Sequence, residues 1–200
     1  MTQTRTSFIL HAQNYLDLLN RCFEESILES IEALADDLKK AWHDGRHIYL
    51  CGNGGSAANA IHIANDLHFG AGACGPPPSH PGLRVEALTA NSGIVTCLAN
   101  DIGYEHIFAH QLEVKARPGD VLIALSGSGN SPNIVKALDV ARRLEMRSYA
   151  IVAFSGGKCL ELADHPIHFP IDDMQIAEDT QLIVGHLCMQ WLTGNKPPRG

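Results

Sequence analysis

The sequence lacks several features that would assign it to a specialised class of protein. Its 200 residues contain no run of lysines or arginines, no CxxC pair and no apolar stretch of transmembrane length. Acidic residues outnumber basic ones, 22 to 15, and the formal net charge is −7. This balance argues against nucleic acid as a partner, and the missing apolar stretch argues against a membrane. The contents of hydrophobic residues, 45%, and charged residues, 18%, are typical of a soluble globular protein.

The cysteines are scattered singly, which excludes the paired spacing of a disulfide framework or of a structural zinc site. The six are Cys22, Cys51, Cys74, Cys97, Cys159 and Cys188, most of them within apolar runs. Reduced and buried thiols of this kind are typical of the cytosol. The first residues also lack the apolar region of a signal peptide, so the sequence predicts a cytoplasmic protein.

From Arg46 onwards, apolar runs of strand length alternate with segments of helical periodicity. Because such alternation builds a parallel sheet covered on both faces, the sequence predicts an α/β fold over residues 46–195, with a doubly wound parallel sheet flanked by helices. Apolar residues also recur at helical spacing from about Ser7 to His43. They predict two helices in an N-terminal extension, residues 1–45, that packs on a neighbouring subunit. We treat both parts as a single structural domain.

The apolar runs and the turn residues between them predict the positions of the individual elements. Strands are expected at 46–51, 83–90, 121–125, 148–154 and 165–170, the last at an edge because of its prolines. Helices are expected at 56–69, 92–99, 104–116, 132–144, 158–163 and 176–192, with Ser131 as an N-cap and Pro132 in the first helical position. The glycine- and proline-rich stretch 70–78 is predicted to be a loop.

Two glycine- and serine-rich loops each follow a predicted strand and precede a predicted helix. The first is CGNGGS, residues 51–56, and the second is SGSGNS, residues 126–131. Glycine lets the backbone approach an anion, serine hydroxyls donate to it, and the free N–H groups of a helix start point at it. A single loop of this kind is adequately explained as a tight turn between a strand and a helix. Two loops of matching composition instead predict a site for a small phosphorylated ligand beyond the carboxyl ends of the strands.

Two histidines and two carboxylates follow the loops at helical spacing. His62 and Asp66 share one face of the helix after the first loop, and Glu178 and His186 share a broad side of the last helix. Together they could bind a divalent transition metal, or act as the acid and base of a proton shuttle. A single histidine on such a helix is more often a packed or surface residue. The pair Asn100–Asp101 could bind sugar hydroxyls or simply end a helix.

At these residues the sequence resembles the SIS (sugar isomerase) domain family, and within it the phosphoheptose isomerases. The best-matching stretches are CGNGGSAANAIHIANDL (51–67), LANDIGYEHIF (98–108), GDVLIALSGSGNSPNIVKAL (119–138) and VGHLCM (184–189). The resemblance implies a flavodoxin-like three-layer sandwich. It also implies an aldose–ketose isomerase that converts sedoheptulose 7-phosphate to D-glycero-D-manno-heptose 7-phosphate through an enediol, for bacterial lipopolysaccharide or capsule. The family's homotetramers have active sites at subunit boundaries.

The resemblance further implies roles for individual residues. The phosphate would be held by Ser56, Ser126, Ser128 and Ser131 with the loop glycines Gly54, Gly55 and Gly127, and the sugar by Asn53, Asn100, Asp101 and Glu178. Asp66 and His186 would be the catalytic acid/base pair. A divalent metal, zinc, would be bound by His62, Asp66, Glu178 and His186. The sequence departs from the family's pattern at Asp66, Glu178 and Gly127, where glutamate, glutamine and threonine are usual.

Two other functions are compatible with this pattern. One is a non-catalytic protein of the same family that binds a phosphosugar or a replication initiator, and the other is an isomerase of a different sugar phosphate. His186, which a pure scaffold would not require, and the retained serines of the loops favour an enzyme. Bound metal in the purified protein would discriminate between enzyme and binding protein.

Overall fold

The computed structural model of the protein describes residues 7–73 and 81–197. Within these ranges, five strands form one sheet, and every pair of neighbouring strands is parallel. They are β1 (His47–Cys51), β2 (Arg84–Ala87), β3 (Val121–Ser126), β4 (Arg147–Val152) and β5 (His165–His168). Their order across the sheet is β2-β1-β3-β4-β5. This flavodoxin-like order confirms the predicted doubly wound fold, and β5 lies at an edge as predicted.

Helices cover both faces of the sheet and complete the predicted three-layer sandwich. They are α1 (Phe8–Arg21), α2 (Glu25–His43), α3 (Gly54–Asn65), α4 (Ala71–Ala73), α5 (Ser92–Asp101), α6 (Ala109–Lys115), α7 (Pro132–Arg143), α8 (Gly157–Leu162) and α9 (Met174–Gly194). A π-helical turn spans Asp66–Gly70, and a 3-10 turn spans Tyr104–His106. Helices α2, α3 and α9 pack on one face of the sheet, and α6, α7 and α8 pack on the other.

The alternation of side chains along the central strands explains the two hydrophobic cores. In β1, Ile48 and Leu50 belong to the core under α2, α3 and α9, whereas Tyr49 and Cys51 belong to the opposite core. All residues of β3 are buried. This is expected for a parallel strand in the middle of a sheet that is covered on both faces.

The five cysteines within the described ranges are free thiols, and Cys74 lies outside those ranges. Cys51, Cys159 and Cys188 are buried. Burial raises the pKa of the Cys159 and Cys188 thiols to about 12, so both are protonated and unreactive near neutral pH.

The stretch predicted as a loop at 70–78 begins as helix, so that prediction is wrong for its first four residues. Gly70 ends the π-helical turn and Ala71–Ala73 form α4, while residues 74–78 lie outside the described ranges. The π-helical turn forms because the N–H of Ala71 donates to the carbonyl of Asp66, five residues back. Strand β2 is shorter than predicted, since the Ala90 N–H donates to the Ala87 carbonyl and closes a turn.

The N-terminal extension forms the two predicted helices, and they differ in burial. Helix α2 contributes five buried residues to the core that it shares with β1. Helix α1 buries none of its residues within the chain. Its Tyr15 hydroxyl donates to Asp179 of α9 at 2.6 Å, and burial together with this hydrogen bond raises the pKa of Tyr15. Among the described helices, none is long and apolar enough to cross a membrane.

Candidate functional site

The candidate site lies where the chain turns to opposite faces of the sheet after two neighbouring strands. The first loop leads from β1 into α3 on one face, and the second leads from β3 into α7 on the other. Both helices therefore begin at one crevice, with free N–H groups and the positive ends of their dipoles. The N-cap residues, Asn53 and Ser131, make no side-chain cap hydrogen bond. This pair of helix starts is suited to bind an anion.

The serine hydroxyls of the loops add further donors to this crevice. Ser126 Oγ and Ser128 Oγ accept hydrogen bonds from backbone N–H groups of their own loop, at 3.1 and 3.3 Å. Each keeps its own hydrogen to donate. Ser131 Oγ and the buried Ser56 Oγ have no hydrogen-bond partner in the described part of the chain. Because buried hydroxyls are nearly always paired in proteins, Ser56 is the strongest indication of a ligand-binding group.

The loop glycines allow close approaches that a side chain would prevent. A Cβ atom on Gly52 would lie 2.6 Å from the Ser56 carbonyl oxygen, within the first loop itself. Gly129 has a φ of +65°, and a Cβ atom there would collide with the carbonyl of Gly156 in the loop after β4. The composition that predicts phosphate binding thus also meets steric needs of the turns.

Asn53, predicted to bind the sugar, is engaged within the protein. Its Nδ2 donates to Asn133 Oδ1 at 2.9 Å, and Asn133 Nδ2 donates back to Asn53 Oδ1 at 2.8 Å. The Tyr104 hydroxyl donates to the same Asn53 oxygen at 2.9 Å. Asn133 and Tyr104 were not among the residues predicted from the sequence. Both lie in the stretches that resemble the SIS family, and Asn133 follows the second loop by two positions.

Three of the four predicted metal-binding side chains converge. His62 Nε2 and His186 Nε2 are 3.1 Å apart, and Asp66 Oδ2 lies 3.4 Å from the first and 3.5 Å from the second. Ligand atoms about 2.0–2.1 Å from a tetrahedral zinc ion are about 3.3–3.4 Å from one another. The three atoms therefore fit one face of such a tetrahedron. Within the described ranges they are the one group of three histidine, cysteine or carboxylate donors found this close together.

The packing of α3 against α9 brings these side chains together. Gly185 of α9 leaves room for Ile63 of α3, and this contact sets His186 opposite His62. Asp66 lies on the same side as His62 and is the first residue of the π-helical turn, a feature common at functional sites. The His62 and His186 side chains are 50% and 41% exposed and that of Asp66 18%. Small molecules in solution therefore have access to the cluster.

Glu178, the fourth predicted ligand, is not part of this cluster. Its carboxylate lies directly against Gly55 in the first turn of α3, in the space that a Cβ atom at Gly55 would occupy. Asn59 Nδ2 donates to the Glu178 carbonyl at 2.8 Å and ties α9 to α3 at this point. A carboxylate at a helix N-terminus is stabilised by the helix dipole. The structure thus places Glu178 beside the first loop.

Asn100 and Asp101 are exposed at the end of α5 and bond to each other rather than to the loops. Asn100 Nδ2 donates to Asp101 Oδ1 at 2.7 Å, and the Cys97 thiol donates to Asp101 Oδ2 at 3.4 Å. This hydrogen bond and the charge of Asp101 raise the pKa of the Cys97 thiol. Within the described ranges, no hydrogen bond or ion pair joins Asn100 or Asp101 to the loops or the cluster. Their role in sugar binding stays a prediction.

Comparison with known proteins places this arrangement among sugar isomerases. Residues 11–153 match the SIS domain family. The phosphoheptose isomerase of Akkermansia muciniphila is 40% identical over 160 residues, which cover 80% of each chain. The phosphoheptose isomerase of Aneurinibacillus thermoaerophilus is 35% identical over 168 residues, 82% of this chain and 80% of that relative. The solved phosphoheptose isomerase of Neisseria gonorrhoeae is 26% identical and matches with a TM-score of 0.83, covering 93% of this chain and 96% of that one.

Proposed function

The chain belongs to the SIS domain family, and we propose that it is a phosphoheptose isomerase, which converts sedoheptulose 7-phosphate to D-glycero-D-manno-heptose 7-phosphate through an enediol. The named relatives agree with the predicted class of enzyme, a phosphosugar aldose–ketose isomerase. We further propose that it acts in the cytoplasm as a homotetramer. The observation that carries the isomerase proposal is that an anion site lies at the start of α3 and a three-donor cluster at its end, where His62 and Asp66 meet His186 of α9.

The length of α3 between these two features fits a long sugar. His62 follows Gly54, the first residue of α3, by eight positions, which corresponds to about 12 Å along a helix axis. An extended chain spans about 1.2 Å per bond, so the eight bonds from C1 of a heptose to its phosphorus span about 10 Å. A phosphate at the loops therefore leaves the carbonyl end of a seven-carbon sugar near the cluster. A three- or four-carbon sugar phosphate would not reach it.

The cluster fits a divalent metal, and zinc suits its two imidazoles and one carboxylate. His62, Asp66 and His186 would hold the ion. Their donor atoms already lie at compatible spacings, and three protein ligands leave a position for substrate. When bound, the metal would polarise the sugar carbonyl and stabilise negative charge on its oxygen. The prediction of Glu178 as a further ligand stays a prediction, since its carboxylate lies against Gly55.

Proton transfer between C1 and C2 is assigned to Asp66 and His186. Asp66 contacts both imidazoles through Oδ2 alone, and its Oδ1 has no partner in the described part of the chain. Oδ1 is therefore the atom that can accept the proton from carbon while Oδ2 stays in the cluster. His186 contacts the cluster through Nε2, and its Nδ1 can exchange a proton with the sugar hydroxyl. Each proton transfer of this kind contributes roughly 100- to 10,000-fold to a rate.

The test is an assay of the purified protein, stripped of metal and reloaded with zinc, on a panel of pentulose, hexulose and heptulose phosphates. We expect aldose formation from sedoheptulose 7-phosphate and about one zinc ion per chain by elemental analysis. His186→Ala should lower turnover at least about 100-fold while phosphate affinity stays within about twofold. His62→Ala should lower zinc content and, with it, activity. His110→Ala, at an exposed position of α6, is the matched control and should change neither.

The same assay distinguishes the alternative functions. Micromolar binding of a ketose phosphate without any aldose formation, with or without zinc, would show a non-catalytic binding protein. Faster turnover of a pentulose or hexulose phosphate would show an isomerase of another sugar. Either result would contradict the proposal.

A further inference from the structure

An amide brace, formed by Asn53, Asn133 and Tyr104, joins the two loops of the candidate site. Asn53 stands between β1 and α3, and Asn133 is the second residue of α7. Their side-chain amides are paired reciprocally, each donating to the other. Asn133 is almost completely buried, whereas Tyr104 is largely exposed and reaches the brace through its hydroxyl.

Both side-chain amide oxygens of the brace accept two hydrogen bonds each and have no free lone pair. Asn53 Oδ1 accepts from both Asn133 and Tyr104, which occupies its two lone pairs. Asn133 Oδ1 accepts from Asn53 Nδ2 and from the N–H of Ile134 at 3.0 Å. Both amide orientations are therefore fixed by their partners. If either amide were flipped, its NH2 group would face another donor and its oxygen would face another acceptor. The brace thus joins the start of α3 to the start of α7.

The 3-10 turn that carries Tyr104 is itself anchored on α7. His106 Nε2 lies 2.9 Å from Lys136 Nζ, and Glu105 Oε1 lies 3.7 Å from the same ammonium group. Beside the brace opens a cleft of about 480 Å³, whose lining includes Tyr104, Lys136 and Ser131 of the second loop. The turn is thus bound to α7, and its Tyr104 contacts Asn53 of the first loop. Both lie next to Ser131, whose hydroxyl is predicted to hold the phosphate.

We propose that Asn133 and Tyr104 are positioning residues for the phosphate of the substrate. Through Asn53 they fix the spacing at which the N-termini of α3 and α7 act on a single anion. Neither helix start is held by a side-chain cap of its own. Among the described residues, the brace supplies the side-chain hydrogen bonds that join the two helix starts. The inference rests on the proposed function only for the identity of the substrate, since any phosphate ester bound at the crevice would depend on the same spacing.

The test is Tyr104→Phe in the full-length protein, which removes one hydrogen bond at an exposed position and leaves the ring in place. We expect the KM for sedoheptulose 7-phosphate to rise roughly three- to tenfold while kcat changes less than about twofold. The Kd for inorganic phosphate, measured by calorimetry, should rise by the same factor. Tyr149→Phe is the matched control, because it removes tyrosine hydrogen bonds to the Ala33 carbonyl and to Asp37, both on α2, which is not part of the loops. It should leave both constants unchanged.

A double-variant measurement separates positioning from a general loss of stability. Because Tyr104 and Asn133 both act through Asn53, Tyr104→Phe and Asn133→Ser should weaken phosphate binding by less together than the product of their separate effects. If Asn133→Ser does not fold, Tyr104→Phe alone decides. An unchanged phosphate Kd in Tyr104→Phe would overturn the inference, even in an active isomerase. A weakened phosphate Kd in a protein that isomerises no sugar would uphold the brace and overturn only the proposed activity.

Discussion

At the scale of single residues, the site depends on two glycines that leave room for side chains of α9. Gly55 accommodates the Glu178 carboxylate, and Gly127 accommodates Met174, whose Sδ would lie 2.7 Å from a Cβ atom at Gly127. The ring of Phe154 would lie 3.7 Å from the same Cβ atom. Phe154 has a φ of +50°, a left-handed conformation that a bulky residue adopts only when its surroundings enforce it. Met174 and the half-buried Phe154 therefore form an apolar wall along one side of the second loop.

This packing predicts that Gly127→Ala weakens phosphate binding. The added methyl group collides with the far end of the Met174 side chain, which is 41% exposed, so either this side chain turns aside or the loop with its serines shifts. We expect the Kd for inorganic phosphate to rise roughly three- to tenfold, as for a lost hydrogen bond to a charged group. Adding Met174→Ala should restore most of the affinity, because it removes the atoms that the methyl group meets. Calorimetric titration of both variants with phosphate measures this coupling.

Gly93→Ala provides the control for the glycine substitution. Gly93 lies in α5, and the nearest atom to its Cβ position, Asn91 Oδ1, is at an ordinary 3.4 Å. The phosphate affinity of the Gly93→Ala variant should equal that of the wild type. If Gly127→Ala also binds phosphate normally, the wall formed by Met174 and Phe154 has no influence on the loop.

The residues of the site also show what a sequence can and cannot predict. The loop serines and the pair His62 and Asp66 are recognisable, because helical spacing and loop composition are properties of neighbouring positions. The pairing of Asn53 with Asn133 spans 80 positions of the sequence. The contact of Glu178 with Gly55 joins the last helix, α9, to the first helix after β1, α3. Such contacts follow from the packing of whole elements, which no local pattern encodes.

At the scale of elements, strand–helix alternation was enough to predict the doubly wound sheet, its edge strand and the two N-terminal helices. The irregular elements could not be predicted. Composition favours a loop after Phe69, whereas the hydrogen bond between Ala71 and Asp66 widens the helix into a π-helical turn. That turn directly follows α3 and carries Asp66, so an element that no local pattern predicts contributes a side chain to the candidate metal cluster.

The turn between α7 and β4 offers a prediction about stability. Glu145 follows the end of α7 with a φ of +54°, and the Met146 N–H donates to the Ala141 carbonyl at 2.9 Å. This closure of a helix is normally made by glycine, because a left-handed conformation costs other residues about 1–2 kcal/mol. Glu145→Gly should therefore raise the free energy of unfolding by about 0.5–1 kcal/mol, part of the gain being offset by the greater freedom of glycine in the unfolded chain.

Urea unfolding of Glu145→Gly and of Glu145→Ala would separate backbone from side-chain effects. Alanine removes the exposed side chain but keeps the conformational cost, so it should stay within about 0.5 kcal/mol of the wild type. Equal stabilities of the glycine and alanine variants would show that the left-handed conformation of Glu145 carries no strain.

At the scale of the whole molecule, α1 is the element that the single chain leaves unexplained. Phe8, Ile9 and Leu16 are 80%, 68% and 62% exposed, and no residue of α1 is buried. A contiguous apolar helix surface of this kind is typical of a contact between subunits. It supports the proposed homotetramer, in which the second subunit would cover α1.

We therefore predict that Ile9→Glu combined with Leu16→Glu dissociates the oligomer. Two carboxylates would have to be buried without partners in a subunit contact, which costs far more than exposing them on a free helix. Light scattering should report a mass well above 21.7 kDa for the wild type and a mass near 21.7 kDa for the double variant. Gln13→Glu, at an exposed polar position of the same helix, should keep the wild-type mass. A monomeric wild type with full isomerase activity would rule out both the tetramer and any site that needs two subunits.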